Sequence, residues 1–256
     1  MWRLQVHRVA PTAPLRVIEN AVSVPMQVTE RCHDGPCRFM LLARMDEWKG
    51  IDDLLHACAL LAREGLSYEL ALAGPAGTAG DRTTLEHEIA DRGLAGMVRY
   101  LGPVLGPDKE ELLEWADAYV QPSHHEGMPI SLLEALAHAL PCVATRVGAV
   151  PEVITDQREG LLVSPHQPAE LAEAMRELIV DADRRRALGS AAAALALARF
   201  GMDRFRRDLI GLYDELLATP SVRTEGGWPC RECVPSTSGA TTLADGASTC
   251  LRFGEF

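Results

Sequence analysis

The sequence predicts an α/β fold, in which a doubly wound, mostly parallel sheet is covered by helices. From residue 38 onward, short apolar runs alternate with longer segments whose apolar residues recur at intervals of three and four. The 256 residues are enough to bury a core of their own. No run approaches the roughly 20 apolar residues that a membrane-spanning helix needs. Together these observations indicate a globular α/β domain.

The predicted elements follow one another in a regular order. Each strand is short and mostly apolar: residues 38–42, 69–73, 98–101, 118–121, 142–145 and 160–163. The helices between them are predicted at residues 51–64, 83–92, 109–115, 129–139 and 168–178, and two more follow at 182–198 and 202–217. We therefore predict one domain over residues 38–218, after a stub at residues 1–37. Residues 219–256 are rich in Gly, Ser, Thr and Pro, so we expect a mostly disordered tail.

Charge and cysteine usage exclude several classes of function. The net charge of -11 and the isoelectric point near 5.2 argue against a nucleic-acid-binding surface, so any anion site is small and focused. The N-terminal residues lack an apolar core with a cleavage site, and we expect a cytoplasmic location. The seven cysteines are odd in number and scattered, and Cys230 and Cys233 lack the second ligand pair of a zinc site. We expect neither a disulfide framework nor a bound metal.

The strongest candidate site is the stretch at residues 123–135, where a strand gives way to a helix. Gly127 permits a close ligand approach and Pro129 suits the first helical turn, which leaves backbone N–H groups free to bind an anion. Glu126 precedes this helix, and Glu134 lies about one and a half turns inside it. Most glutamates are solvated, but the apolar residues around Glu134 indicate a buried helix, where a carboxylate needs a partner.

The second candidate site is the stretch at residues 44–50, again between a strand and a helix. Arg44 and Lys49 are five residues apart across this turn. At the carboxyl end of a parallel strand, both can point into the crevice where open α/β sheets bind ligands, and together they can neutralise a diphosphate. Alone, the pair would be read as solvated surface cations. Combined with the first motif, it favours a phosphate site.

Together these motifs resemble the C-terminal, donor-binding domain of retaining GT-B glycosyltransferases of family four, the glycosyl transferases of group one. The resemblance covers roughly residues 15–217 and rests on the R-x4-K spacing of Arg44 and Lys49 and the E-x7-E spacing of Glu126 and Glu134. The flanking stretches at 121–123, 148–154 and 160–163 also resemble the family, in the same order. It implies a Rossmann-like fold that forms the C-terminal half of a GT-B enzyme.

The resemblance implies a role for each matching position. Arg44 and Lys49 would contact the donor diphosphate, Glu126 the donor sugar, and Glu134 the nucleotide ribose. The backbone around Gly127, Met128, Pro129, Ile130 and Ser131 would complete the phosphate site, and the backbone near Leu101 and Gly102 would contact the base. Cations and a helix N-terminus can stabilise a departing diphosphate without a metal ion. The implied substrates are a nucleotide-diphosphate sugar and an unidentified acceptor, such as a glycan or a lipid-linked glycan, with at most peripheral membrane contact.

The chain also departs from the family pattern. Ala139 stands where the family usually has Gly, so we expect strain at that helix end. The glycine-containing stretch at residues 74–80 lacks the ending and spacing of a phosphate loop, which indicates a plain loop. GT-B enzymes have an N-terminal domain that carries the acceptor site, and nothing before residue 15 could form it. We therefore expect this chain to be incomplete as a catalyst.

Two alternatives stay open from the sequence. The chain could be a non-catalytic fragment that binds nucleotide sugars. Alternatively, Glu126 and Glu134 could be the paired carboxylates of a glycoside hydrolase, although Arg44 and Lys49 would then have no role. Contact of His124 with the substrate is also open, as is contact of His125.

Overall fold

A computed structural model describes residues 15–26 and 35–218 of the chain. The predicted tail at 219–256 lies outside these residues, as do most of the predicted stub and the cysteines at positions 32, 230, 233 and 250. Within the described ranges, no helix is both long and apolar enough to cross a membrane.

Six parallel strands form one sheet, and each lies where the sequence predicts it to within one residue. They are β1 (Cys37–Leu42), β2 (Tyr68–Ala73), β3 (Val98–Gly102), β4 (Ala118–Gln121), β5 (Cys142–Thr145) and β6 (Gly160–Val163). The spatial order is β3-β2-β1-β4-β5-β6. Leu42 lies opposite Ala73 on one side of β1, and Met40 lies opposite Tyr119 on the other. This is the doubly wound order of a Rossmann-like fold.

The helices also match the prediction, with differences at their ends. They are α1 (Ile51–Arg63), α2 (Arg82–Asp91), α3 (Pro107–Trp115), α4 (Ile130–Ala137), α5 (Val150–Val153), α6 (Pro168–Val180), α7 (Ala182–Leu195) and α8 (Met202–Ala218). The sequence pattern did not predict α5 or a 3-10 turn at Glu47–Lys49, because each is too short to show a helical period. A π turn at Ala196–Phe200 ends α7 earlier than predicted.

The helix predicted at 129–139 is shorter at both ends. Pro129 is its N-cap, with an extended ψ of 125°, so the prediction that it lies in the first helical turn is wrong. At the other end, Ala139 has a φ of 55°, which confirms the strain expected where the family usually has Gly. The left-handed residue ends the helix and turns the chain toward β5.

Side chains that alternate along the strands fill a core on each face of the sheet. Phe39 and Leu41 pack on one face with α1, α2 and α6, whereas Met40 packs on the other with α3, α4 and α5. Both faces are therefore covered, which explains why the strands are apolar at almost every position. The order of the strands reverses between β1 and β4, and the loops after these two strands meet at the carboxyl edge of the sheet.

Candidate functional site

The loop after β1 and the loop after β4 pack directly against each other at this reversal. Gly50 has a φ of 68°, and a Cβ atom there would lie 2.1 Å from the carbonyl oxygen of Pro122. The backbone N–H of His124 donates to the carbonyl oxygen of Trp48 at 2.7 Å. Any residue other than Gly at position 50 would push the loops apart, so this glycine allows the two predicted motifs to meet.

Glu126 has a nearly buried side chain, and it is ion-paired with Lys49. Its Oε1 atom accepts from Lys49 Nζ at 2.7 Å, from Gln121 Nε2 at 2.7 Å and from Ser123 Oγ at 2.7 Å. The Glu126 side chain is 7% exposed and that of Lys49 is 20% exposed. The buried carboxylate thus has the partners that it requires, while the ammonium group is still reachable from solvent.

Neighbouring segments hold the backbone around Glu126 in place. Gly148 has a φ of 56°, and a Cβ atom there would lie 1.9 Å from the carbonyl oxygen of Glu126. The N–H of Ala149 donates to the carbonyl oxygen of Gly127 at 3.0 Å. The Asn20 side chain donates to the carbonyl oxygen of Met128 at 3.1 Å. The loop between β4 and α4 is therefore fixed by contacts from the loop after β5 and from the N-terminal segment.

The N-terminus of α4 opens beside Glu126. The Pro129 side chain has no atom that could cap the helix, so the first backbone N–H groups are not satisfied by their own N-cap side chain. Ile130 is 53% exposed. Ser131 Oγ accepts from the Tyr119 hydroxyl at 2.8 Å, and burial raises the pKa of Tyr119, so this hydroxyl stays a donor. This end of the helix can accept an anion.

Glu134 lies further along α4 and pairs with a residue that the sequence analysis did not single out. Its Oε1 accepts from Lys109 Nζ of α3 at 2.6 Å. The two side chains are 20% and 24% exposed, respectively. No local pattern marks Lys109, because the contact joins two helices 25 residues apart in the chain. A ligand that binds Glu134 through hydroxyl groups has to share it with Lys109 or displace Lys109.

Arg44 is positioned by Asp46 and by an aromatic ring. Its Nε donates to Asp46 Oδ2 at 2.5 Å, and its guanidinium carbon lies 5.6 Å from the centre of the Trp48 ring. Asp46 is 2% exposed, and its Oδ1 accepts from the N–H of Thr78 at 3.1 Å. Burial disfavours the charged form of Asp46, but the Thr78 and Arg44 hydrogen bonds outweigh it and lower the pKa of Asp46.

The stretch at residues 74–80 packs against this pair. A Cβ atom on Gly77 would lie 2.4 Å from Asp46 Oδ1. The stretch therefore has a structural contact with Asp46, in keeping with the predicted plain loop.

The predicted base-binding segment ends β3. The carbonyl oxygen of Leu101 accepts from Arg82 Nη2 at 3.0 Å, and that of Gly102 accepts from the N–H of Gly74 at 2.8 Å. Leu101 is 40% exposed. Each carbonyl group therefore has one protein partner and can accept one further hydrogen bond.

The structure thus brings Lys49 and Glu126 into direct contact, whereas Arg44 and Glu134 each contact another charged residue. The sequence analysis missed the polar groups that hold these residues. Asp46 and Gln121 could have been found from their position, because each is a polar residue in or just after an apolar strand that ends at this edge. Among the described residues, Gln121 Oε1 is a buried acceptor without a partner.

Comparisons with known proteins agree with this fold. The family model described as glycosyl transferases group 1 matches residues 32–195. The D-inositol 3-phosphate glycosyltransferase of Paenarthrobacter aurescens is 33% identical over 181 residues, which are 70% of this chain and 44% of that relative. The chain thus spans less than half the length of the curated relatives it matches.

Two solved structures show the same fold at low identity. Sucrose-phosphate synthase from Thermosynechococcus elongatus has a TM-score of 0.73 at 22% identity, covering 84% of this chain and 57% of that one. Anabaena Alr3699/HepE, solved in complex with UDP, has a TM-score of 0.64 at 23% identity, covering 71% and 49%.

Proposed function

The chain belongs to the glycosyl transferases group 1 family, and from this premise we propose that it provides the donor site for sugar transfer from a nucleotide-diphosphate sugar. We further propose that the transfer retains the anomeric configuration and needs no metal ion, as the family resemblance implies. We expect it to take place in the cytoplasm. Membership of this family favours transfer over the hydrolysis that the two glutamates alone allow.

The observation that carries the proposal is the Lys49–Glu126 ion pair beside the open N-terminus of α4. Sugar transfer builds negative charge on the departing diphosphate and positive charge on the anomeric carbon. Lys49 and the helix N–H groups can stabilise the first charge, and the Glu126 carboxylate can stabilise the second. These groups are held in place before the donor arrives, so little reorganisation is needed during the reaction.

Arg44 adds a second, more exposed cation. Its side chain is 55% exposed, so it can bind a phosphate oxygen while Asp46 keeps it near the loop. Because the pKa of Asp46 is lowered, its carboxylate is charged at neutral pH and stays paired with the guanidinium. We assign both Arg44 and Lys49 to the diphosphate.

Glu134 is the proposed partner of the nucleotide ribose. A carboxylate can accept two hydroxyl hydrogen bonds, and this one lies on the same helix whose N-terminus would face the phosphates. Lys109 contacts its Oε1 atom, so the ribose has to compete with this lysine. UDP is the first nucleotide to test, because the Anabaena neighbour was solved with UDP.

Calorimetric titration of the purified chain with UDP, GDP and ADP tests the assignment. We expect saturable binding of one nucleotide, and Lys49→Ala and Glu134→Ala should each weaken it at least about tenfold, as expected for the loss of a charged hydrogen bond. Glu114→Ala is the matched control, because Glu114 is an exposed glutamate on α3. Unchanged affinity in both site variants would disprove the site assignment.

A transfer assay separates the two functions that the fold allows. Because the chain spans 44% of the P. aurescens relative, its activity as an enzyme is itself a proposal. D-inositol 3-phosphate is the first acceptor to try, since it appears in the name of that relative. Product formed from a labelled nucleotide sugar supports a transferase, whereas nucleotide binding without product supports the alternative of a nucleotide-sugar-binding protein.

A further inference from the structure

A second cluster of polar side chains lies beside the proposed donor site and is not used by it. Asp53 belongs to α1, His124 to the loop after β4, and His166 to the loop between β6 and α6. His124 Nε2 lies 2.7 Å from Asp53 Oδ2. The two imidazole rings have centroids 3.7 Å apart and are tilted by 36°. One ligand atom from each of the three residues lies within 4.8 Å of the others.

This set of atoms matches what a divalent transition metal binds. Two imidazole nitrogens and one carboxylate oxygen are usual ligands of Zn²⁺ and related ions, with bonds of about 2.0 to 2.2 Å. Ligand atoms around such an ion are about 3 to 3.5 Å apart in a tetrahedral site. The three ligand atoms lie within 4.8 Å of one another, so side-chain rotations have to bring them together around an ion.

The turn at His166 has an unusual backbone conformation. His166 has a φ of 58°, a left-handed conformation that costs a non-glycine residue about 1 kcal/mol or more. Gly would adopt this turn without strain, yet the chain carries a metal-ligating side chain there, against the ring of His124. Asp53 and His124 are 18% and 24% exposed, and His166 is exposed, so an ion can enter from solvent.

We propose that Asp53, His124 and His166 form a binding site for a divalent transition metal ion of the Zn²⁺ class. The ion joins α1, the loop that carries Glu126 and the loop before α6, three segments that are distant in sequence. The role of the ion is to fix the loop after β4, because His124 is two residues from Glu126 in that loop. The backbone N–H of His124 already donates to the carbonyl oxygen of Trp48. It takes no part in the proposed chemistry of sugar transfer, so the site can exist whether or not the donor assignment holds.

Titration of the full chain with Zn²⁺, followed by calorimetry, tests this site. The tail also contains cysteines, so the result is read as a difference between variants. We expect His166→Gly and Asp53→Asn to lose one equivalent of Zn²⁺ or to bind it at least about tenfold more weakly. His166→Gly relieves the backbone strain, so it should fold at least as well as the parent chain. His87→Ala, at an exposed histidine on α2, should bind like the parent chain.

Co²⁺ distinguishes the proposed ligands from thiolates. Binding at an aspartate and two histidines gives visible d–d absorption without a sulfur-to-metal charge-transfer band, and His166→Gly should remove that component. The proposal is overturned if the parent chain binds no Zn²⁺, or if both site variants bind as many equivalents as the parent with equal affinity. The proposal is also overturned if the Co²⁺ spectrum shows only thiolate coordination and His166→Gly does not change it.

Discussion

Replacing Gly148 with Ala is expected to displace the backbone of the loop that carries Glu126, and so to disrupt the proposed donor site. The new Cβ atom would lie 1.9 Å from the carbonyl oxygen of Glu126 and 3.1 Å from that of Gly127. Backbone atoms cannot rotate away as a flexible side chain can, so either this loop or the segment at Gly148 has to move. The φ of 56° adds a second penalty, because alanine disfavours the left-handed region.

The two penalties can be separated with a matched glycine. Gly93 has a φ of 72°, and a Cβ atom there would meet nothing within 4 Å. Gly93→Ala should therefore cost only the conformational term, about 1 to 2 kcal/mol. Gly148→Ala should cost that amount and a further 1 to 3 kcal/mol or so for overpacking. The difference between the two variants estimates the steric contact at the Glu126 loop.

Urea unfolding followed by circular dichroism measures both variants against the parent chain. A second readout is UDP binding, which Gly148→Ala should weaken because Glu126 and Lys49 shift together, whereas Gly93→Ala should leave it unchanged. If the two variants lose the same stability to within about 0.5 kcal/mol, the close approach at Gly148 does not constrain this loop and the reasoning is refuted.

The remaining predictions concern single groups at and around the site. Lys109→Ala should tighten UDP binding by up to about fivefold in calorimetry. The reason is that Glu134 loses a partly exposed ion pair, which contributes about 1 kcal/mol or less and competes with the nucleotide. A roughly tenfold weakening would instead mean that Lys109 contacts the nucleotide. Asp46→Asn should cost more stability at about pH 7 than at about pH 3 in urea unfolding, because the folded-state pKa of Asp46 is lowered and its stabilising charge is lost as the pH falls through that pKa. An equal cost at both values would contradict this. Cys58 is fully buried, and burial raises its pKa to about 12, so mass spectrometry should find it unlabelled by iodoacetamide until the chain unfolds; labelling of the native chain would show that the core opens.

The sequence alone was sufficient for the sheet and for most helices. The strands are apolar at nearly every position and the helices repeat with a period near 3.6, and both signals are local. Helix ends were less predictable: α4 begins at Ile130 because the extended backbone of Pro129 makes it an N-cap, which the residue type alone did not reveal. The short helix α5 left no periodic signal.

The candidate site was predictable in its residues but not in their contacts. Spacing and resemblance identified Arg44, Lys49, Glu126 and Glu134, and the parallel sheet explains why their loops meet at one edge. Only the tertiary structure decided that Lys49 pairs with Glu126 and that Lys109 pairs with Glu134. Lys49 and Glu126 are 77 residues apart in the chain, and Lys109 and Glu134 are 25 residues apart. No local sequence pattern therefore encodes either ion pair.

The same reason applies to the proposed metal site. Asp53, His124 and His166 look like unrelated surface residues in the sequence, because they belong to three segments that are far apart in the chain. Local propensity and periodicity determine which segments become strands and helices, and both can be read directly from the sequence. The packing of those elements determines which side chains face each other, and so do the close approaches that Gly50 and Gly148 allow. Only the tertiary structure shows these contacts.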